Sequence, residues 1–227
     1  MSIKVCVFDA YGTLLDVNSA AKHYAATTNN KQFKEAWKKI AIDWREKQLS
    51  YSWLRTIMNM HVDFWEITKD SLDYALDAAK ITSDENLKLD LLRLYLELEP
   101  YPEVRKALLT LRDLGFKTSI LSNGSVKMLN SALDSAGIKN LFDKVLSVDD
   151  VKVFKPSRVV YQKVCESFEC SSDEVLFVSS NGWDISGALS AGFHCVWINR
   201  FQLPIDRLPN KPTLIQDDLK SLHNLLN

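Results

Sequence analysis

Two kinds of hydrophobic pattern divide the chain. Short unbroken apolar runs fall at residues 5–8, 119–121, 145–148, 175–178 and 195–198. Each has the length of a strand buried on both faces. Stretches with the helical period lie between most of them, at 126–136, 157–168 and 184–191. Strands alternating with helices predict an open, parallel α/β sheet.

Residues 18–98 read differently. Phe33, Ala36, Trp37, Ile40, Ala41 and Trp44 recur at the i, i+3, i+4, i+7 spacing of a helix. Trp53, Leu54, Ile57, Met58, His61, Phe64 and Trp65 do the same, and so do Leu87, Leu91, Leu94, Tyr95 and Leu98. No glycine lies between Gly12 and Gly115, and the first proline is Pro100. A block free of both breakers predicts a bundle of about four helices. Glu99-Pro100-Tyr101-Pro102 marks its exit. The expected organisation is therefore an α/β core from residues 1–17 and 99–227, interrupted by a helical domain at 18–98.

The few glycines add a map of the sheet. Gly115, Gly137 and Gly192 sit where a helix ends before the next strand, a position that tolerates positive φ. Gly12, Gly124 and Gly182 instead follow strands one, two and four. Those loops lie at the carboxyl edge, where open α/β sheets bind ligands.

Composition narrows the class. The 227 residues are 46% hydrophobic and 25% charged, as in a globular protein, with a formal net charge of -1. There is no basic surplus for nucleic acid and no polybasic arm. Nothing approaches the roughly 18 apolar residues of a membrane span. Only Val5, Cys6, Val7 and Phe8 separate Lys4 from Asp9, too few for a signal peptide. Cys6, Cys165, Cys170 and Cys195 have no metal-ligand spacing and read as thiols of a reducing cytoplasm. His23, His61, His194 and His223 carry no motif and read as structural or surface residues.

The chemistry-bearing residues gather at the strand ends. Asp9 follows strand one directly, in Phe8-Asp9-Ala10-Tyr11-Gly12-Thr13-Leu14. Strand two ends in Leu121-Ser122-Asn123-Gly124-Ser125. Lys155-Pro156 follows strand three, and strand four ends in Ser179-Ser180-Asn181-Gly182-Trp183-Asp184. Singly, each is an ordinary cap or loop. As an ordered set, they resemble the haloacid dehalogenase superfamily: an Asp nucleophile, a Ser/Thr, a Lys and an acidic motif. The resemblance implies a Rossmann-like core with an inserted helical cap, and it covers nearly the whole chain.

Within the superfamily, the motifs are similar to the L-2-haloacid dehalogenase branch. Phosphatase members carry a second Asp two positions after the nucleophile; this chain has Tyr11. Their strand-four motif helps hold Mg²⁺, whereas this one has the single carboxylate Asp184. The cap segment Trp44-Arg45-Glu46-Lys47-Gln48-Leu49-Ser50-Tyr51 resembles the branch's arginine-bearing segment, except that Glu46 replaces an expected Gln. Glu46 either weakens anion binding or points to solvent.

The resemblance implies a metal-independent, cofactor-free, two-step displacement on a short 2-haloacid, inverting the (S)-substrate to an (R)-2-hydroxy acid. Asp9 attacks the carbon and forms an ester, and water hydrolyses it. Lys155 keeps Asp9 ionised. Arg45 and Asn123 receive the halide, which needs no proton on leaving. Ser122 and the backbone at Ala10 and Tyr11 hold the substrate carboxylate. Asp184, with Ser179 and Asn181, positions the water. Tyr11, Leu49, Phe64 and Trp183 form an apolar wall, although Leu49 and Phe64 equally suit packing inside the cap. Thr13 either caps the turn or bonds Asp9. Tyr161 either reaches Lys155 at the substrate site or packs its helix. The stripe 53–65 reads as cap core, with a homodimer contact as the second reading. The rivals are a Mg²⁺-dependent phosphatase of the same superfamily and a binding protein that retains the fold without catalysis.

Overall fold

The computed structural model describes residues 3–81 and 85–226. One all-parallel sheet contains β1 (Val5–Phe8), β2 (Lys117–Ser122), β3 (Lys144–Ser147), β4 (Val175–Ser179), β5 (His194–Ile198) and β6 (Leu214–Gln216). Their order is β3-β2-β1-β4-β5-β6. β1 is central and fully buried, with Phe8 in register with Ile120 on one side and Val178 on the other. The strand order reverses at β1, so its carboxyl end opens on a crevice at the topological switch point. The Asp9 amide continues the ladder by donating to the Val178 carbonyl at 3.0 Å.

The sixth strand was not predicted. β6 is a short edge strand whose residues are largely exposed, so it lacks an apolar run. The other boundaries lie within two residues of the predicted ones. Helices α5 (Val104–Asp113), α6 (Val126–Ser135), α7 (Arg158–Phe168) and α8 (Gly182–Ser190) alternate with the strands.

Between β1 and Pro100 lie α1 (Ser19–Thr27), α2 (Lys31–Ile57), α3 (Phe64–Ala78) and α4 (Glu85–Tyr95). Phe33, Ile40, Trp44, Leu72, Leu76, Leu91 and Tyr95 pack their interior. The entering and leaving chains are tied together. Asp16 N–H donates to the Glu99 carbonyl at 2.8 Å, and Tyr101 N–H to the Leu14 carbonyl at 3.0 Å.

The structure overturns the reading of 53–65 as one helical core stripe. α2 stops at Ile57, Asn59 takes a left-handed φ of 55°, and the Met60 amide reaches back to the Arg55 carbonyl at 2.9 Å. Asp63 then caps α3 by accepting from Trp65 N–H at 2.7 Å. Asn after a helix and Asp before the next are stop and start signals that need neither glycine nor proline. The break leaves Leu54, Ile57, Met58 and Met60 exposed. Trp53 instead meets Trp183 edge-on, with ring centroids 5.4 Å apart.

Candidate active site

The loops at the carboxyl ends of β1, β2 and β4, with the Lys155 loop, converge beneath the helical insert. Asp9 is 6% exposed at the crevice. Its Oδ2 accepts from the Thr13 hydroxyl at 3.0 Å and from Asn181 Nδ2 at 2.9 Å. Thr13 in turn accepts from the Ser180 amide at 2.8 Å, which joins the β1 and β4 loops. Ala10 is fully buried, and its carbonyl closes the β1 turn by accepting from the Leu14 and Leu15 amides, both at 3.0 Å.

Lys155 is the centre of charge. Its Nζ lies 3.2 Å from Asp9 Oδ1 and 2.9 Å from Asp184 Oδ2. Its amide donates to Asn123 Oδ1 at 2.8 Å, which fixes the loop to the end of β2. Burial alone would lower the lysine's pKa, but Asp184 and Asp9 outweigh it and raise it above 10.5. Asp184 is wholly buried. It accepts from Ser179 Oγ at 3.1 Å and from the Tyr161 hydroxyl at 2.6 Å. Burial pushes its carboxyl above the usual range, against the pull of Lys155. The Tyr161 phenol is raised well above its ordinary value by burial and by the Asp184 charge, so it stays neutral and donates.

The insert supplies the roof. Arg45, half-buried on α2, donates from Nη2 to the Tyr11 carbonyl at 3.2 Å. A cavity of about 10 Å³ remains between roof and floor. Asp9, Ser122, Asn123 and Lys155 line it from the core, and Arg45 from above. Tyr11, Leu49, Phe64 and Trp183 form the rest of its wall. Leu49 and Phe64 therefore face the cavity, and Phe64 also packs edge-on against Phe154 at 5.8 Å. Gly124 passes so close to Tyr11 that a Cβ there would lie 2.7 Å from the phenol ring.

Several sequence-predicted residues take other places. Tyr161 does not line the cavity or bond Lys155; fully buried, it reaches Asp184, because α7 packs behind α8. Thr13 and Asn181 bond Asp9, Ser179 bonds Asp184, and none of these four lines the cavity itself. Thr13 bonds Asp9, the second of its two readings. Glu46 is exposed, so it points to solvent. Ser180 was missed as the amide partner of Thr13, although it stood inside the strand-four motif. Gln48 and Tyr95 were missed too. The signal was a polar group placed at a buried helical position.

The donor set does not suit a divalent cation. Octahedral Mg²⁺ requires several oxygens and retained water. Here the space between the two carboxylates is spanned by the Lys155 ammonium, at 3.2 and 2.9 Å. Among the described residues, no three His, Cys, Asp or Glu side chains converge on one point. No helix among them is long and apolar enough to cross a membrane.

The family model for haloacid dehalogenase-like hydrolases matches residues 3–192. This chain belongs to that family. It is 43% identical over 202 residues to (S)-2-haloacid dehalogenase 1 of Pseudomonas sp. (strain CBS-3), covering 89% of this chain and 87% of the relative. Haloacetate dehalogenase H-2 of Moraxella sp. (strain B) is 39% identical, covering 92% of both chains. Among solved structures, the L-2-haloacid dehalogenase of Xanthobacter autotrophicus with chloropropionic acid covalently bound superposes with a TM-score of 0.88. That pair is 34% identical, covering 99% of this chain and 98% of the other. The family's core-and-insert architecture accounts for the interrupted α/β pattern of this haloacid dehalogenase-like hydrolase.

Proposed function

We propose that this hydrolase cleaves the carbon–halogen bond of short (S)-2-haloalkanoic acids, releasing halide and the (R)-2-hydroxy acid without a metal. The observation that carries this is the ion trio. Lys155 spans Asp9 and Asp184, so the nucleophile already has a fixed cation beside it. Relatives named for 2-haloacids at up to 43% identity support the substrate class.

The contacts support one role for each residue. Thr13 and Asn181 hold Asp9 Oδ2. Oδ1, touched by Lys155, is the attacking oxygen. It displaces halide from carbon 2 from the rear, inverting that centre and forming an ester. The halide departs as an anion toward Arg45 and Asn123, so no acid is needed where Tyr11 stands. Ser122 and the Ala10–Tyr11 backbone receive the substrate carboxylate. The walls of Tyr11, Leu49, Phe64 and Trp183 exclude water from the first step. In the second step, water activated by Asp184 attacks the ester carbonyl. Charge then develops on Oδ2, where Thr13 and Asn181 already donate. The bond from the Asp9 carbonyl carbon to Oδ1 breaks, and the product keeps that oxygen. Tyr161 and Ser179 hold Asp184 in place.

Residues 18–98 act as a cap that must part from the core to admit substrate, because the cavity beneath it is only about 10 Å³. The exposed row Leu54, Ile57, Met58 and Met60 supports homodimer formation, to be read by light scattering. Four free thiols suit a cytoplasmic location. The deciding experiment is halide release from each enantiomer of 2-chloropropionate, with and without EDTA. Phosphate-ester turnover dependent on Mg²⁺, with no halide released, would favour the phosphatase reading.

A further inference from the structure

The interior of the cap holds a row of polar side chains that the scheme above does not use. Gln48, Thr68 and Tyr95 are 1%, 0% and 2% exposed. An amide, a hydroxyl and a phenol are costly to bury unless each finds a partner. The Tyr95 hydroxyl donates to Gln48 Oε1 at 3.1 Å. Gln48 Nε2 donates to Thr68 Oγ1 at 3.0 Å, and the Thr68 hydroxyl donates to the Phe64 carbonyl at 2.8 Å. Every donor points the same way, so each bond strengthens the next. Trp44 Nε1 fastens to the Thr68 carbonyl at 2.8 Å, and its ring packs on Tyr95 with centroids 4.9 Å apart.

The open end of this chain is the Tyr95 oxygen, which interacts electrostatically with the Arg45 guanidinium. Burial raises the phenol's pKa while Arg45 and Gln48 oppose that rise, so the phenol is neutral. Its proton is donated to Gln48. The Tyr95 ring also stacks on Tyr11, with centroids 5.8 Å apart and planes 17° from parallel. Arg45 donates to the Tyr11 carbonyl at 3.2 Å. The guanidinium thus interacts with a core carbonyl and with the end of the cap's hydrogen-bond chain.

We propose that Tyr95 is a positioning residue that aims Arg45 at the departing halide, with Gln48 and Thr68 fixing the phenol. This rests on the reading of Arg45 as the halide's partner. A half-buried arginine held by one carbonyl alone can swing about its long side chain, and a misplaced group is lost to the transition state. Gln48 lies three residues after Arg45 on α2, so one helix face carries both the cation and the second link of its support.

The test uses single-turnover halide release from (S)-2-chloropropionate and (S)-2-bromopropionate. Tyr95→Phe keeps the ring stack and removes only the oxygen. The expected result is a loss of about tenfold on the chloride substrate and a smaller loss on bromide, as for a weakened leaving-group contact. KM stays within about twofold of wild type. In an Arg45→Lys background the same substitution adds little, because both changes strike one contact. Gln48→Met, which leaves Tyr95 intact, shifts the chloride/bromide ratio in the same direction and stands in if Tyr95→Phe fails to fold. Equal losses on both halides, or additive losses in the double variant, would overturn the proposal. An Arg45→Lys variant with an unchanged chloride/bromide ratio would remove the reading of Arg45 itself, and the proposal with it. A shifted ratio in Arg45→Lys but not in Tyr95→Phe would reject the role of Tyr95 alone.

Discussion

Lys155 Nζ lies 3.2 Å from Asp9 Oδ1, with the lysine side chain 1% exposed and the aspartate 8%. The same ammonium is 2.9 Å from Asp184. The nucleophile and Asp184 thus share one fixed cation, buried between them. A chelator is therefore expected to leave halide release unchanged. Lys155→Met strands two buried anions, a loss on the order of 3–5 kcal/mol when one partner of a buried ion pair is removed. Urea unfolding reads that loss. Abolition of wild-type activity by EDTA, with rescue by Mg²⁺, would contradict the assignment.

Asp9→Asn is expected to abolish halide release, since a neutral amide oxygen is a poor nucleophile. Asp184→Asn is expected to slow ester hydrolysis more than ester formation. A mass increment on the peptide containing Asp9 should then accumulate during turnover. Equal slowing of both steps would show that Asp184 serves only as a counter-ion for Lys155.

Arg45→Lys keeps the charge but loses the planar donor array. The expected loss in kcat is about tenfold or more, on the order of 1.4 kcal/mol of barrier or greater. Arg45→Ala is expected to be worse, with chloride suffering more than bromide. A rise in KM alone, with the halide ratio unchanged, would make Arg45 an anchor for the substrate carboxylate.

The pH profile has a definite sign. Asp184 and Lys155 both bind their protons more tightly in the folded chain, above 3.8 and above 10.5 respectively. The Asp184 contribution to stability is full below pH 3.8 and is lost as pH rises through its folded value; that of Lys155 persists until its own folded value is passed. Ester hydrolysis needs ionised Asp184. Its rate is expected to fall on acidification at a pH above 3.8, and to fall on the alkaline side only above 10.5. Single-turnover rates across pH check both limbs. A rate that stays flat down to pH 3.8 would point to a different base.

Gly124→Ala places a methyl 2.7 Å from the Tyr11 ring. The wall of the cavity must then shift. Overpacking of this kind costs about 1–3 kcal/mol. Thermal unfolding should register the loss, and Gly124→Ala paired with Tyr11→Leu should recover part of it. No change in either measurement would mean that the ring has room to move.

The carboxyl-edge chemistry was legible because each strand end is local. A buried apolar run followed by Asp9, Ser122-Asn123 or Ser179-Ser180-Asn181 declares both the strand and the group it presents. The helical insert was legible from period and from missing glycine and proline. The pause at 58–63 was not, because its signals, Asn59 and Asp63, act through backbone hydrogen bonds rather than hydrophobicity.

Residue order thus dictates the local elements and the chemical groups at their ends. The tertiary structure decided which groups meet. Lys155 is 146 positions from Asp9, and no spacing rule links them; they touch because the loop after β3 is tied to Asn123 at the end of β2, the strand beside β1. Tyr161 reaches Asp184 rather than the cavity for a similar reason, since α7 packs against α8. The line from Phe64 through Thr68 and Gln48 to Tyr95 joins three helices. A hydrophobic pattern records which face of a helix is buried. It carries no information about which buried polar atom on another helix will satisfy a given hydroxyl, because that pairing is settled only when the helices dock and water is gone.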